Sequence, residues 1–318
     1  MRLNIQKRTA RKIKAVVLIG PTAVGKTAMT EALFSHSAEI INADSVQVYR
    51  GLDIGSAKPD QKLRELIPHH LVDIRDPWEQ YTAGDFARDA AALIPEIESR
   101  GKIPLITGGT GYYIRQLVYG PSSAPPADER IRNEVRDEVV RNGKEWAYSY
   151  LKEIDPVSYE RIEANDLYRI TRAIEVYRAS GCPLSSFPVS SEPDDAFVLI
   201  CLVRDKEELK KRIKLRVGQM FEAGFYEEIR KLFRMGADSS WPAMHAIGYR
   251  EFIEASESGE ASLETIKEEI IRSTEKYAKR QMTFFRSFSS CRFFHPDDTD
   301  GIASYLALKG VCTDDFRP

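Results

Sequence analysis

Eight residues, Gly20-Pro21-Thr22-Ala23-Val24-Gly25-Lys26-Thr27, fit the pattern G-x-x-x-x-G-K-[ST], whose chemistry is the holding of phosphate. In such a loop, backbone N–H groups at a helix N-terminus surround the oxyanion. Lys26 adds a point charge, and the Thr27 hydroxyl can take a magnesium ion. Asp44 is a second reactive group, closing the run Glu39-Ile40-Ile41-Asn42-Ala43. Three roles are open to it: magnesium ligand, general base, or cap of a helix N-terminus. A third candidate is Gly108-Gly109-Thr110-Gly111, where glycines let backbone approach a ligand and Thr110 offers a hydroxyl. A tight turn is its plain alternative. A fourth is Arg216, which falls on the stripe Leu209, Ile213, Val217, Met220 of a predicted helix. An inward guanidinium needs an anion, either a structural carboxylate or a bound phosphate.

These groups need a sheet to bring them together. Ala15–Ile19 is a continuous apolar run, as expected of a parallel strand buried on both faces. Residues 28–34 read as the helix that follows the phosphate loop. Further strands are predicted at 39–43, 71–74, 103–107 and 197–203. In such sheets ligands collect beyond the carboxyl ends of the strands, so Asp44 and Thr110 should face Lys26. A helix is predicted over 83–99, with Pro95 ending or kinking it. The adjacent histidines His69 and His70 would point to opposite faces and are read as packing or hydrogen-bonding residues, not metal ligands. The last long helix, about 262–288, carries Ile270, Tyr277, Phe284 and Phe288 on its expected core face. No acid occurs from Lys276 to Arg292, which favours contact with an RNA backbone.

With 318 residues, the chain has room for a core domain and a sizeable insertion. From Gly120 the composition shifts to Pro/Ser and then to charged helical segments, so residues 120–195 are read as a helical insertion. The core is then 14–119 with 196–318. Residues 1–13 form a basic tail, and Arg2, Lys7, Arg8, Arg11, Lys12 and Lys14 are followed by no signal-peptide core. No apolar run spans a bilayer, and the four cysteines are scattered without a C-x-x-C pair. A cytoplasmic protein with reduced thiols is the expectation. A net charge of −2 leaves nucleic-acid binding to local basic patches.

Taken together, six segments resemble the motif series of the tRNA dimethylallyltransferases, also called tRNA isopentenyltransferases. They are Gly20–Thr27, 41–55 from Ile41 to Gly55, His69 to Ile74, Gly108 to Gly111, Ala246-Ile247-Gly248-Tyr249-Arg250-Glu251 and Tyr277-Ala278-Lys279-Arg280-Gln281. They run in order from about residue 14 to 288. Ser56, Tyr112, Phe285 and Ser287 depart from the usual pattern, and no C-terminal zinc finger is present, as in the bacterial form.

The resemblance implies an α/β fold: a P-loop NTPase-like parallel sheet flanked by helices, with a helical insertion domain that binds the tRNA anticodon stem-loop. It implies transfer of a dimethylallyl group from dimethylallyl diphosphate to N6 of adenine 37 in tRNAs with adjacent A36. Thr22, Ala23, Val24, Gly25, Lys26 and Thr27 would hold the diphosphate, with Mg²⁺ on Thr27. Asp44 would be the general base, Thr110 would orient base and diphosphate, and Arg216 would stabilise the leaving group. Asp44, Ser45, Val46 and Gln47 would contact the tRNA, as would Arg132, Arg169 and Arg172 of the insertion and Lys279, Arg280 and Gln281 of the last long helix. A monomer is expected. A free-AMP prenyltransferase and a P-loop kinase or NTPase are the other readings.

Overall fold

The structure, a computed structural model, describes residues 12–187, 190–259 and 262–311. Arg2, Lys7, Arg8 and Arg11 of the basic tail, and Cys312, lie outside the described residues. Lys12 and Lys14 pair with Glu98 and Asp194. No described helix is long and apolar enough to cross a membrane.

The chain divides into two compact units, one combining residues up to Val118 with those from Glu192 onward, the other spanning Tyr119–Ser191. The first is built on six strands: β1 (Ala15–Ile19), β2 (Ala38–Asn42), β3 (His69–His70), β4 (Ile103–Gly108), β5 (Phe197–Leu202) and β6 (Arg292–Phe294). Their order is β3-β2-β4-β1-β5-β6, and every pairing is parallel. The apolar run of β1 takes the centre, where both faces are covered and all five residues are buried. Register aligns Ile19 with Gly108 on one side and with Cys201 on the other. The loops after β1, β2 and β4 therefore emerge along one edge, on either side of the point where the strand order reverses.

Three expectations need correction. The third strand is His69–His70, and 71–74 is an irregular segment with Leu71 and Asp73 at positive φ. β2 is recruited only as far as Ile40 and Ile41 reach His69 and His70. Pro95 does not end its helix, which runs Ala83–Ser99 under a Thr82–Asp85 capping box. The long helix is Leu263–Phe285, and its buried face holds Ile266, Ile270, Ala278, Gln281 and Phe285. Ile270 and Phe288 are buried as expected, whereas Tyr277 and Phe284 are only half-buried beside buried Ala278 and Phe285. The histidines do hydrogen-bond: His69 through Nδ1 with the Ile67 carbonyl, and His70 through Nε2 with Glu39.

The second unit packs Ile131, Val135, Ala147, Leu151, Ile170, Ala173 and Ile174 into a core of its own. Asp128, Asp155 and Asp166 each start a helix here, their side chains accepting from the first turn, whereas the Lys144–Ile154 helix starts on Gly143 without a side-chain cap. Gly181, left-handed at φ 71°, ends the Leu167–Ser180 helix.

Candidate active site

Phosphate binding in this fold depends on aiming backbone N–H groups outward from a helix start, and the loop after β1 is built for that. Gly25 caps the Lys26–Phe34 helix at φ 114°, and Ala23 is held left-handed at φ 61°. Two arginines outside the motif fix the loop's carbonyls. Arg204 donates through Nε to the Val24 carbonyl (2.8 Å) and Arg212 to that of Ala23 (2.8 Å). With those carbonyls drawn away, the N–H groups of Gly25, Lys26 and Thr27 have no hydrogen-bond partner among the described residues. Thr22 differs: its N–H donates to Oε1 of Gln281 at 3.0 Å. Arg212 precedes Arg216 by one helical turn, a spacing visible in the sequence; nothing in the sequence marks Arg204 for this role.

Lys26 donates to the carbonyls of Gly20 (2.8 Å) and Pro21 (2.9 Å), which occupies two of its three N–H bonds. Burial first, and the Arg216 guanidinium second, push its pKa down to about 8, against the pull of Asp44 and Cys201. The native ammonium thus loses its proton as pH rises past about 8, whereas the unfolded chain keeps it to about 10.4. Charged Lys26 destabilises the native state at neutral pH, and that cost lifts as pH climbs through this window. A bound anion reverses the shift. Binding of inorganic diphosphate at pH 8 should therefore take up a fraction of a proton, and its affinity should weaken above pH 8. Titration calorimetry in buffers of differing ionisation enthalpy measures this. Lys26→Arg should abolish the uptake, and equal uptake in both proteins would place the titrating group elsewhere.

Asp44 is half-buried just beyond β2. Its Oδ1 accepts from the N–H of Val46 (2.9 Å) and Gln47 (3.3 Å). Its other oxygen has no hydrogen-bond partner among the described residues. One oxygen fixes the carboxylate and the other is left to accept a proton. Capping a turn and acting as a base are thus compatible, one oxygen each. Asp44 shares a cleft of about 1370 Å³ with the phosphate loop and Arg216. Its charge raises the pKa of both Lys26 and Arg216.

Arg216 is where the sequence places it, on the Lys206–Glu222 helix beside buried Ile213 and Val217. Burial lowers its pKa, and Asp44 offsets part of that. It makes no hydrogen bond or ion pair among the described residues. Asp44 acts on the guanidinium only at a distance, with no hydrogen bond or ion pair, which leaves the cleft as the place for its anion.

Thr110 reaches the site indirectly. Its Oγ1 accepts from the Ser45 N–H (2.9 Å) and lies 3.1 Å from the Ser45 hydroxyl, while its N–H donates to Ala43. Gly108 must lack a side chain, because a Cβ there would collide with the Ala43 carbonyl. The turn and the ligand-facing readings of this loop both have a basis in these contacts. Gln47 donates through Nε2 to the carbonyls of Ser56 and Ala57.

That 53–57 segment is held by Glu228, a residue that no motif or periodicity marks. One carboxylate accepts from the N–H groups of Asp53, Ile54 and Gly55 and from the Tyr249 hydroxyl, at 2.7–3.2 Å. Glu228→Ala strips four donors of their acceptor, and should cost roughly 2–4 kcal/mol of stability. Thermal melting checks this; a melting temperature equal to that of the unsubstituted chain would mean that water replaces the carboxylate without loss.

Tyr277 was expected in the core but lines the cleft. Burial, then Asp44, push its hydroxyl up to about 12, which keeps it a donor. Lys279 and Arg280 are exposed on the same helix, and the Arg280 guanidinium lies 5.8 Å from the centre of the Tyr277 ring. Gln281 points inward and is 5% exposed, and its amide is bonded to the protein at both ends, so it presents no free group to RNA. In the second unit Arg132 and Arg172 flank buried Glu175 at 3.7 and 3.4 Å, and Arg169 pairs with Asp166 at 3.3 Å. Each of these arginines has an acid within its own unit.

Comparison with known proteins gives this arrangement its relatives. A family model described as IPP transferase matches residues 47–288, and one described as isopentenyl transferase matches residues 13–73. A tRNA dimethylallyltransferase of Borrelia turicatae is 40% identical over 288 residues, covering 91% of this chain and 96% of that one. The chain belongs to the tRNA dimethylallyltransferase family. Among solved structures, the tRNA isopentenylpyrophosphate transferase of Bacillus halodurans aligns with a TM-score of 0.67 at 34% identity, covering 94% of this chain and 97% of that one. A eukaryotic dimethylallyltransferase acting on tRNA aligns at 0.77 and 25% identity, covering 96% and 82%.

Proposed function

We propose that this chain transfers a dimethylallyl group from dimethylallyl diphosphate to N6 of adenine 37 in tRNAs carrying A36-A37. The observation that carries the reading is Asp44: anchored by one oxygen, open at the other, and electrostatically coupled to Lys26 and Arg216 in one cleft. Adenine leaves its stack to enter the cleft. Its N6 bonds to C1 of the prenyl group as the C1–O bond breaks, and the N6 proton passes to the free Asp44 oxygen. Electron density moves onto the diphosphate, where the Gly25, Lys26 and Thr27 N–H groups, the Lys26 ammonium and Arg216 stabilise it. An allylic carbon bears positive character well, so holding the leaving group is the larger part of the work.

The donor set also suits Mg²⁺. Thr27 offers one exposed hydroxyl at the helix start, and no group of three His, Cys, Asp or Glu residues able to hold a metal occurs among the described residues. Mg²⁺ bound through one protein oxygen, diphosphate oxygens and water is the usual arrangement on phosphate substrates, and it would supply charge neutralisation of the leaving group. Lys279 and Arg280, with the arginines of the second unit, are the candidates for the anticodon stem-loop backbone.

Incubation with unmodified tRNA, dimethylallyl diphosphate and Mg²⁺, followed by nucleoside mass analysis, should give N6-dimethylallyladenosine. Unchanged nucleosides, or ATP turnover without prenyl donor, would overturn the reading.

A further inference from the structure

The geometry points to Gln281 as a positioning residue, which sets the spacing between the loop that holds the leaving group and the segment that carries the base. This rests on the reading that Asp44 and the phosphate loop act on one pair of substrates. The Gln281 side chain closes two long-range contacts at once. Its Oε1 accepts from Thr22 of the phosphate loop at 3.0 Å, across 259 residues. Its Nε2 donates to the Gly109 carbonyl at 2.8 Å, across 172 residues. The amide is 5% exposed, so neither bond competes with water.

From Gly109 the chain of contacts to the base is short. The next residue, Thr110, donates to Ala43 and holds the Ser45 N–H. Ala43 and Ser45 are the two neighbours of Asp44. A shift of Gly109 relative to Thr22 is thus a shift of the base relative to the diphosphate. Only a side chain of this length with one acceptor and one donor answers both partners. Glutamate offers no donor to the Gly109 carbonyl, methionine offers no donor and only a weakly accepting sulfur, and asparagine is a methylene short.

Gly109 gives a second observation. A Cβ there would collide with Nε2 of Gln281 and with nothing else nearby; its next neighbour is Cδ of the same side chain, at 3.7 Å. The φ of Gly109 is not in the left-handed region, so backbone conformation alone does not call for glycine. The glycine is there to let the amide through.

The test uses the full chain with unmodified tRNA, dimethylallyl diphosphate and Mg²⁺. Gln281→Met should lower the single-turnover rate at saturating substrates by about tenfold or more, as expected of a displacement approaching 1 Å. Affinities for the anticodon stem-loop and for dimethylallyl diphosphate should each change less than about threefold. Gln281→Glu should do no better than Gln281→Met. Gly109→Ala should slow the reaction while Gln281 is present, and Gly109→Ala/Gln281→Ala should be no slower than Gln281→Ala alone. This second pair keeps the proposal testable if Gln281→Met fails to fold. A wild-type rate in Gln281→Met overturns the proposal, as does a loss confined to stem-loop affinity or full multiplication of the Gly109 and Gln281 effects. Should the unsubstituted chain transfer no prenyl group, the underlying reading falls with it; transfer by that chain and by Gln281→Met alike sinks the positioning role alone.

Discussion

Asp44→Asn should reduce the single-turnover rate of prenyl transfer by about 10²–10⁴-fold, the range for loss of a positioned general base. Asparagine preserves the shape of the site, because its carbonyl oxygen can still accept from the Val46 and Gln47 N–H groups as Oδ1 does. What it lacks is an oxygen able to take a proton. Affinity for unmodified tRNA should therefore stay within roughly threefold of the unsubstituted chain, less than 1 kcal/mol. Rapid-quench kinetics with labelled donor, beside a filter-binding isotherm at fixed salt, separates the two quantities. Near-normal turnover would move the base to another group.

Arg216→Ala should separate activity from stability. Loss of a single donor to developing negative charge costs about 10²–10³ in rate, and Arg216 has no other partner to keep it in place. Without substrate the replacement should leave the melting temperature unchanged or raise it, since a half-buried guanidinium without an anion is a cost to the folded state. Lys26 should also recover a higher pKa, because Arg216 is the second cause of its depression. Single-turnover kinetics and calorimetric melting give both signs. An unaltered rate, or a marked loss of stability, would make Arg216 a packing residue.

The sheet was legible because parallel strands covered on both faces must be apolar throughout, and β1 and β5 are such runs. The phosphate loop was legible because its function is local: eight consecutive residues contain the turn, the charge and the hydroxyl. Arg216 could be found because it breaks a stripe. β3 was misplaced because Leu71-Val72-Asp73-Ile74 reads as the better strand, yet the pairing settles on two histidines that bond Glu39 and the Ile67 carbonyl. Tyr277 and Phe284 were misplaced on the long helix because the aromatic periodicity is strong, whereas small Ala278 and polar Gln281 are what the core accepts there. Gln281 and Glu228 act on backbone groups more than 170 residues away, and side-chain periodicity carries no trace of such partners.

The order of strands also constrains how the chain is made. β1 lies between β4 and β5, and 177 residues, including the whole of the second unit, separate the end of β1 from the start of β5. A ribosome therefore releases β1, β2 and β4 long before β5 and β6 exist, and one flank of the central strand stays uncovered meanwhile. The second unit needs only neighbours in sequence and can consolidate during that interval. The nascent catalytic half must keep an apolar strand edge from pairing with other chains until about residue 294 has emerged, which makes this half the natural client of a chaperone.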